Sequence, residues 1–454
     1  MSNIITINPV LTKKQKQALR LLFDYENGIN EILYGGASGG GKSFVGCVWL
    51  IICALKYPES RWLMGRARLT TLKKTTLKTF FEVAKSLGLR EDDHYKYNQI
   101  NNEIKFYNGS EIILKDLFSY PNDPEFDSLG SLEIAGAFID ECNQISEKAK
   151  NIVMSRIRHK LDEFKISPKI LMTCNPSRNW VYNEFYKKQL DGRLEAYKAF
   201  IPALNTDNEF ISKIYITNLE RQDEVTKNRL LYGNWDYENE LALFKYDAIL
   251  DMFEVAEEEP DSTEANGRVV MSIDVARLGK DKTCIIVWDT LDIIEIKELT
   301  KLRLDEQKLV IDELMKKYSI TNKELIFDTD GVGGGLADMY RGCVEIVNNS
   351  KPINDENYQN LKTQMYYKLA EQINGGFIKV YAVTPNQKLR IIQELQIIKR
   401  EDADQDGKIK MTNKEQMKIQ IGRSPDISDA MAFRMWFLLK KKGVSDFSFT
   451  FIDI

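Results

Sequence analysis

The chain has 454 residues, of which 43% are hydrophobic and 29% charged, and its formal net charge is -4. This composition is typical of a globular protein and excludes collagen-like, low-complexity and largely disordered chains. Because single hydrophobic cores stop growing at roughly 250–300 residues, a chain of this length is expected to form two domains.

Histidine and cysteine usage limits the chemistry that the chain can carry. The chain has two histidines, and its six cysteines are scattered without C-x-x-C spacing. This pattern argues against disulfides, a zinc site or a histidine-dependent triad, so any metal must use oxygen ligands, which predicts Mg²⁺ or Mn²⁺. The longest apolar run, Val45 to Leu55, is far shorter than the ~20 residues that span a bilayer, so no membrane partner is expected.

The first helical pattern begins at Leu11 and carries Gln15 on the N-terminal side of a glycine-rich loop. A glutamine at this place is a candidate to bind the edge of an adenine base. The same spacing is also that of an exposed helix residue, and the sequence supports both interpretations equally.

The glycine-rich loop lies between a short apolar strand at residues 32–34 and an apolar helix at residues 44–55. It fits the spacing G-x-x-x-x-G-K-[ST], in which glycines let consecutive backbone N–H groups turn toward a phosphate. In this pattern the lysine binds the β- and γ-phosphates of ATP, and the serine binds Mg²⁺. The predicted ATP-binding residues are Gly36, Ala37, Ser38, Gly39, Gly40, Gly41, Lys42 and Ser43, with Ser43 also a metal ligand.

A basic stretch follows the loop and its helix, because residues 60–81 contain no Asp or Glu. It overlaps a helical pattern at residues 70–87. Its cations therefore form either a basic face for a polyanion or one solvated side of a helix, and the sequence supports both equally. These cations are Arg61, Arg66, Arg68, Lys73, Lys74 and Lys78.

Two further apolar strands in the first half end in polar residues. One runs into Asp140 and Glu141, and the other, at residues 169–173, is followed closely by Asn175. In a P-loop ATPase the aspartate at such a strand end holds Mg²⁺, and the next acid polarises the attacking water. Asp140 is therefore predicted as a Mg²⁺ ligand and Glu141 as catalytic. Asn175 is predicted to sense the γ-phosphate, with a plain strand-to-turn boundary as the alternative.

The pattern loosens between Tyr237 and Gly267, where residues 254–264 are acidic and include a proline. A stretch of this kind is typical of a linker between domains. We therefore predict an α/β protein with a P-loop ATPase domain at residues 1–245, a linker at 246–265 and a second domain at 266–454.

The second half carries three strand patterns, a helix and a fourth strand. This order is that of an RNase H-like nuclease fold. The predicted elements are the strands 269–275, 284–288 and 293–298, the helix 304–317 and the strand 324–327.

Acidic residues lie at the ends of these elements. Asp274 lies near the end of the first strand, Asp328 follows the fourth, and Asp426 and Asp429 open a late helix. Converging carboxylates can hold two Mg²⁺ ions about 3.5–4 Å apart for phosphodiester cleavage. Asp274, Asp328 and Asp426 are the predicted catalytic residues, and Asp429 joins them as a candidate metal ligand because Asp426 also fits a helix cap. Asp330 is the alternative to Asp328.

With these motifs in order, the chain resembles the large terminase subunit of tailed bacteriophages, the motor that packages DNA into capsids. The segments that carry the resemblance span most of the chain. They are the glycine-rich loop, Phe138–Glu141, Thr173–Pro176, Leu231–Trp235 and the acids of the second half.

The resemblance implies ATP and Mg²⁺ as cofactors, with Mn²⁺ also possible at the nuclease site. Its implied partners are double-stranded DNA, a portal protein, a small terminase subunit and further copies of the chain in a ring on the portal. The implied location is the host cytoplasm and, transiently, the procapsid vertex, but not the mature virion.

One departure from the family pattern concerns the loop, where many relatives have an arginine and this chain has Ala37 and Ser38. Because an arginine finger contributes about 10³–10⁵ in rate, one is expected elsewhere, either in this chain or from a neighbouring subunit. The candidates are Arg66, Arg68, Arg156, Arg158 and Arg178.

Two other functions remain open from the sequence. A DNA helicase or repair translocase would need a second motor half, and no motif set after residue 245 supplies one. A non-catalytic DNA-binding scaffold would have no use for Lys42, Glu141, Asp274 and Asp328.

Overall fold

The computed structural model describes residues 7–120, 123, 125–237, 241–254, 268–276, 282–329, 333–381, 383–401 and 407–440. The chain divides into two compact units, Met1–Asn239 and Glu240–Ile454. Each unit is an α/β structure with its own mixed sheet, which confirms the predicted α/β class. Within the described ranges, no helix is both long and apolar enough to cross a lipid bilayer.

The first unit is built on an eight-stranded sheet. Its strands are Glu31–Gly36 (β1), Arg61–Arg66 (β2), Tyr95–Asn98 (β3), Glu103–Phe106 (β4), Glu111–Asp116 (β5), Gly136–Asp140 (β6), Ile170–Cys174 (β7) and Lys198–Ala203 (β8). Its helices are Lys13–Phe23 (α1), Lys42–Lys56 (α2), Leu69–Lys74 (α3), Thr76–Ser86 (α4), Glu147–Ser155 (α5), Leu161–Phe164 (α6), Lys188–Leu190 (α7), Lys213–Glu220 (α8) and Glu224–Thr226 (α9). Two π-helical turns cover Tyr182–Lys187 and Lys227–Leu231.

The strand order of this sheet is β3-β4-β5-β2-β6-β7-β1-β8. The strands from β5 to β8 in this order are parallel, and β3 and β4 form an antiparallel edge. The carboxyl ends of β2, β6, β7 and β1 therefore lie side by side, and in parallel α/β sheets this is the edge where ligands bind.

The central parallel strands β1, β6 and β7 are buried on both faces. In β1, Ile32 and Tyr34 pack with α2, whereas Leu33 packs with the core on the opposite face, which includes Val153 of α5. Successive side chains of a strand point to opposite faces, so a run of apolar residues supplies both layers. This explains why these strands appear as continuous apolar segments in the sequence.

The helical pattern at residues 70–87 folds as two helices rather than one. Thr75, between α3 and α4, has φ -127° and ψ -82°, which is outside the helical region. Its hydroxyl accepts a hydrogen bond from Arg66 Nη1 at 2.6 Å, and the hydroxyl of Thr76 donates to Asp140 Oδ2 at 2.5 Å. Tertiary hydrogen bonds at these two threonines accompany a break that helical periodicity does not reveal.

The second unit contains a five-stranded sheet and a two-stranded ribbon. Its strands are Val269–Asp274 (β9), Thr283–Asp289 (β10), Asp292–Leu299 (β11), Leu325–Asp328 (β12), Val344–Ile346 (β13), Arg400–Glu401 (β14) and Lys410–Met411 (β15). Its helices are Tyr246–Asp251 (α10), Leu304–Lys317 (α11), Gly333–Ala337 (α12), Leu361–Asn374 (α13), Pro385–Gln396 (α14), Lys414–Ile421 (α15), Asp426–Arg434 (α16) and Trp436–Lys440 (α17).

The main sheet of this unit has the order β11-β10-β9-β12-β13. The first three strands pair antiparallel, and β12 runs parallel to both β9 and β13. The predicted strands and the helix 304–317 of the second half are therefore confirmed, with bounds that differ by one or two residues.

Residues before the sheet also belong to the second unit. Leu243, Phe244, Ile249 and Met252 are buried in its core together with residues of α13 and α14. Helix α10 therefore occupies the first part of the predicted linker, and residues 255–265 of that linker lie outside the described residues.

Gly46 allows α2 to pack closely on the sheet, because a Cβ at this position would lie 2.3 Å from the ring of Phe138. We predict that Gly46→Val destabilises the first unit by about 1–3 kcal/mol through overpacking. Its thermal unfolding midpoint should fall by roughly 2–4 °C per kcal/mol. In a Phe138→Leu background the same substitution should cost less, because the smaller side chain leaves room. Equal costs in the two backgrounds would contradict the contact.

Candidate functional site

The glycine-rich loop adopts a backbone that depends on glycine at two positions. Gly36 has φ +146°, and a Cβ there would lie 2.0 Å from the carbonyl oxygen of Ala203. Gly41, the residue before α2, has φ +70°, and its Cβ would lie 2.3 Å from Gln15 Nε2. A side chain at either position would clash and strain the backbone. The two glycines thus hold the loop between β8 and α1.

Lys42 is buried at the first turn of α2. Its ammonium donates to the carbonyl oxygens of Gly36, at 3.1 Å, and Ala37, and to Asn175 Oδ1 at 3.0 Å. Burial lowers the pKa of Lys42, while the nearby Glu141 carboxylate opposes this shift. The ammonium therefore stands inside the loop, where a phosphate could replace its carbonyl partners.

Asp140 at the end of β6 is 3% exposed and accepts hydrogen bonds on both oxygens. Ser43 Oγ and Thr173 Oγ1 donate to Oδ1 at 3.0 and 2.7 Å, and Thr76 Oγ1 donates to Oδ2 at 2.5 Å. Arg66 Nη1 lies 3.6 Å from Oδ2. The structure thus brings together the two predicted metal ligands of this unit, Ser43 and Asp140.

Glu141 follows in the left-handed region, with φ 51°. Asn175 Nδ2 donates to its Oε1 at 3.5 Å, so Asn175 contacts both Lys42 and Glu141. Burial and then the Asp140 carboxylate raise the pKa of Glu141 above its usual value, and Arg229 is among the cations that oppose this. A raised pKa makes this carboxylate a stronger base, which favours acceptance of a proton.

Gln15 connects α1 to the loop. It is 4% exposed, so the alternative of an exposed helix residue is wrong. Its Oε1 accepts from the backbone N–H of Thr12 at 2.9 Å, and its Nε2 donates to the Gly41 carbonyl at 3.0 Å. It also lines a cavity of about 340 Å³ together with Phe44, Phe210 and others. The side chain therefore both supports the loop and borders a space beside it.

The candidate arginines lie in different surroundings. Arg66 contacts a predicted metal ligand, Asp140. Arg68 stacks on Phe118, with its Cζ 3.3 Å from the ring centroid. Arg158 forms an ion pair with Glu133 at 3.2 Å, and Arg178 forms one with Asp236 at 3.7 Å. Among the described residues, the buried Nε of Arg156 has no hydrogen-bond partner.

Arg229 was missed by the sequence analysis. Its Nε donates to the Pro176 carbonyl at 2.8 Å, next to Asn175, and its charge opposes the raised pKa of Glu141. It lies in a π-helical turn within the residues that precede the Leu231–Trp235 motif. No sequence pattern marks it, because its contact with Pro176 joins residues 53 positions apart.

The segment around Leu231–Trp235 covers the loop from one side. The Ser38 N–H donates to the Leu230 carbonyl at 2.8 Å, and the Leu231 carbonyl accepts from Asn205 Nδ2 at 2.8 Å. Trp235 fills the space over Gly35, where a Cβ would lie 2.8 Å from its ring. This segment therefore contacts both the glycine-rich loop and the end of β1.

Four aspartates of the second unit lie on adjoining elements. Asp274 ends β9 and Asp328 ends β12, which are parallel neighbours in the sheet. Asp426 and Asp429 stand in the first turn of α16, which packs on β9, β10 and β12. All four are less than 9% exposed. The predicted nuclease residues therefore converge on one end of the sheet.

The charges of these aspartates influence one another. Burial, followed by the charge of Asp429, raises the pKa of Asp274 well above its usual range, and Asp426 and Asp328 add to this. Asp328 Oδ2 accepts from Asn348 Nδ2 at 2.8 Å. The carboxylates are thus close enough to repel one another.

Asp429 is compensated by cations. Its Oδ1 lies 2.6 Å from Lys362 Nζ and accepts from the Tyr366 hydroxyl at 2.6 Å, and its Oδ2 lies 3.1 Å from Lys414 Nζ. Burial alone would raise the pKa of Asp429, but the combined effect of Lys362 and Lys414 lowers it well below its usual range. Asp429 is therefore ionised.

The donor chemistry of this site fits a hard divalent cation, because buried carboxylates that repel one another are stabilised by positive charge. Among the residues that the structure describes, however, no three His, Cys, Asp or Glu side chains are arranged to hold a metal ion. Two lysines already neutralise Asp429. Asp330, the alternative to Asp328, lies outside the described residues.

A buried charge network supports Asp426 and was also missed by the sequence analysis. Asp426 Oδ2 accepts from the Lys282 N–H at 3.2 Å and lies 3.7 Å from Arg390 Nη2. Arg390 also pairs with Glu298 and, at 3.3 Å, with the fully buried Glu394. Glu394 Oε2 accepts from the N–H of Ser428 at 2.9 Å, within the first turn of α16. The network therefore fixes the helix that carries both late aspartates.

We predict that Arg390→Met lowers the stability of the second unit by about 3–5 kcal/mol, because it leaves buried carboxylates without their cation. The measurement is thermal unfolding of the full chain by scanning calorimetry. Arg303→Met is the control, since its side chain is 74% exposed and should change little. Equal unfolding curves for the two variants would show that the network contributes nothing.

Comparison with known proteins links the site of the first unit to a family. A family model described as phage terminase large subunit matches residues 28–234. No curated protein sequence matches the chain.

Several solved structures are similar. A large terminase from a thermophilic bacteriophage is 16% identical, with 95% of this chain and 100% of that chain covered and a TM-score of 0.42. The same terminase in complex with ATP-γ-S is 17% identical, with 91% and 98% covered and a TM-score of 0.40. The nuclease domain of the large terminase subunit of bacterial virus Sf6 is 19% identical, with 43% and 98% covered and a TM-score of 0.37.

The family match includes the glycine-rich loop, Asp140, Glu141 and Asn175, the residues that the first unit brings together. It confirms the resemblance found in the sequence: residues 28–234 match the model of the phage terminase large subunit family.

Proposed function

We propose that the chain is the subunit of a viral DNA-packaging motor that hydrolyses ATP and cuts DNA. The observation that carries this proposal is the convergence of Lys42, Ser43, Asp140, Glu141 and Asn175 at the carboxyl edge of one sheet, inside the region that the family matches. The sequence predicted domains at 1–245 and 266–454. Because Leu243, Phe244, Ile249 and Met252 pack in the core of the second unit, we propose that the second domain begins before Leu243.

In the first unit, the loop from Gly36 to Ser43 binds the phosphates of ATP. Lys42 exchanges its carbonyl partners for phosphate oxygens, and the cavity beside Gln15 receives the base. Ser43 and Asp140 hold Mg²⁺, which supplies positive charge to the phosphate oxygens when bound. The hydrogen bonds of Asp140 to Ser43 and Thr173 fix its carboxylate for this role.

Glu141 orients the attacking water and accepts its proton. Burial keeps its pKa raised, and the αL backbone directs it beside Asn175. Asn175 links Glu141 to Lys42, so it can respond when Lys42 turns to a phosphate. Arg66 and Arg229 supply the positive charge that the loop itself lacks, because both already act on the Asp140–Glu141 pair.

In the second unit, we propose an RNase H-like nuclease. The sheet order β11-β10-β9-β12-β13, with three antiparallel strands and then two parallel ones, supports this fold. Asp274 and Asp328, with Asp426 or Asp429, would hold divalent ions, whose chemistry when bound would be to activate water and to stabilise a leaving oxygen. Lys414, within 3.1 Å of Asp429, limits the repulsion among these acids.

The assembly that we propose follows the family. Double-stranded DNA is the substrate, and a portal protein, a small terminase subunit and further copies in a ring are the partners. The proposed location is the host cytoplasm and the procapsid vertex, and not the mature virion.

Lys42→Ala should reduce ATP turnover about a hundredfold or more, since it removes a cation aimed at the phosphates. Glu141→Gln should bind ATP and fail to hydrolyse it. Phosphate release and binding of a fluorescent ATP analogue measure the two steps. Lys56→Ala, at the exposed end of the same helix, is the control. Normal hydrolysis by Lys42→Ala would sink the ATPase assignment.

Asp274→Asn should abolish Mg²⁺-dependent cleavage of plasmid DNA and leave ATP turnover intact, because the two sites lie on separate cores. Mn²⁺ should raise the unfolding temperature of the wild type but not of this variant. Asp426→Asn and Asp429→Asn, compared in the same assay, identify the third ligand by the larger loss. Undiminished cleavage by Asp274→Asn would rule out the nuclease assignment.

A further inference from the structure

The junction between α3 and α4, residues 73–78, joins a basic surface to the nucleotide site. We propose that Lys73, Lys74 and Lys78 bind phosphates of the DNA duplex, and that Thr75 and Thr76 couple this grip to the state of Asp140. The inference rests on the proposed motor function and deepens it, because it locates a DNA surface on the first unit and links it to ATP.

The link begins at Thr76, which is 1% exposed at the start of α4. Its hydroxyl donates to Asp140 Oδ2 at 2.5 Å. Thr75, one residue earlier, accepts from Arg66 Nη1 at 2.6 Å, and the same Arg66 atom lies 3.6 Å from Asp140 Oδ2. The junction is thus bound twice to one carboxylate, directly and through Arg66.

The two oxygens of Asp140 have different partners, one in the predicted metal site and one at the junction. Oδ1 faces Ser43, a predicted metal ligand, and Oδ2 faces Thr76 and Arg66. A nucleotide bound through Asp140 and Ser43 would therefore change the carboxylate that accepts the hydrogen bond from Thr76. A ligand shifts a conformational equilibrium when its contacts differ between the two states, and this shared carboxylate supplies such a difference.

The backbone at the junction is suited to transmit the change. Thr75 has φ -127° and ψ -82° and interrupts the helix between Lys74 and Thr76. Interruptions of this kind are where helices bend. On the other side, Arg68 anchors the start of α3 by stacking on Phe118. A displacement of Thr76 would therefore move α4 relative to a fixed α3.

The surface of the junction is positive. Lys74 and Lys78 are exposed, and Lys73 is half-buried. In the described ranges, no carboxylate lies within 4.0 Å of any of their three ammonium groups. Other lysines of this unit are paired, such as Lys160 with Glu59 at 2.9 Å. With no acid in residues 60–81, the patch is a local exception in a chain of net charge -4.

This pattern fits a nucleic-acid backbone. Lysine ammonium groups contact phosphates without reading sequence, and their release of counterions makes binding strongly dependent on salt. A motor that moves along DNA needs such a grip to change with each ATP cycle. The junction provides cations and a connection to the nucleotide site within one short segment.

The first experiment measures binding of the full chain to a fluorescent duplex of arbitrary sequence over a series of KCl concentrations. The triple variant Lys73→Ala, Lys74→Ala, Lys78→Ala should bind about tenfold or more weakly, with its salt slope reduced by about 2–3. Lys85→Ala, an exposed lysine farther along α4, is the control and should keep the wild-type slope. The triple variant should retain ATP turnover without DNA.

The second experiment repeats the titration with and without ATP-γ-S. The wild type should differ severalfold in affinity between the two conditions. Thr76→Val should lose this difference, because it removes the donor to Asp140, and Thr76→Ser should restore it.

A wild-type slope in the triple variant would overturn the DNA surface, and an unchanged ATP-γ-S effect in Thr76→Val would overturn the coupling. The coupling is also overturned if ATP-γ-S leaves the affinity of the wild type unchanged. A wild type that binds neither duplex nor ATP-γ-S would instead overturn the proposed function, and this inference with it. The wild-type titration therefore separates the two failures.

Discussion

The first unit depends on one buried carboxylate. Asp140 accepts hydrogen bonds from α2, β7 and the start of α4 through Ser43, Thr173 and Thr76. A buried ionised group must find such partners, since leaving it without them costs several kcal/mol. Asp140, the proposed Mg²⁺ ligand, therefore also holds together the elements that meet at the carboxyl edge of the sheet. The same hydrogen bonds therefore hold these elements together and position the Asp140 carboxylate.

The second unit solves a similar problem with cations. Asp429 is held by Lys362 and Lys414, and Asp426 by Arg390 and a backbone N–H. Burial and the neighbouring aspartates raise the pKa of Asp274, so its charged form is the one that the site disfavours. Asp429, which has two cations beside it, stays ionised.

Much of this arrangement could be predicted from local patterns. The glycine spacing, the apolar strands and the acids at strand ends are signals within a few residues, and the strands were confirmed in place. The break at Thr75, the role of Arg229 and the Arg390 network could not be predicted, because each involves contacts between residues far apart in sequence, such as Thr76 with Asp140. The helix at residues 246–251 was predicted as part of a linker for the same reason. It has few apolar residues, and these pack against α13 and α14, which come much later in the sequence.

The position of β1 has a consequence for synthesis of the chain. Its two neighbours in the sheet are β7 and β8, residues 170–174 and 198–203, although the glycine-rich loop begins at the last residue of β1, Gly36. During translation the loop emerges long before the strands that enclose it. Contacts of this sequence separation form slowly, because a long loop must close before they can be made. The site proposed to bind ATP is thus completed late, and we expect a nascent chain to gain it only when nearly the whole first unit has been made.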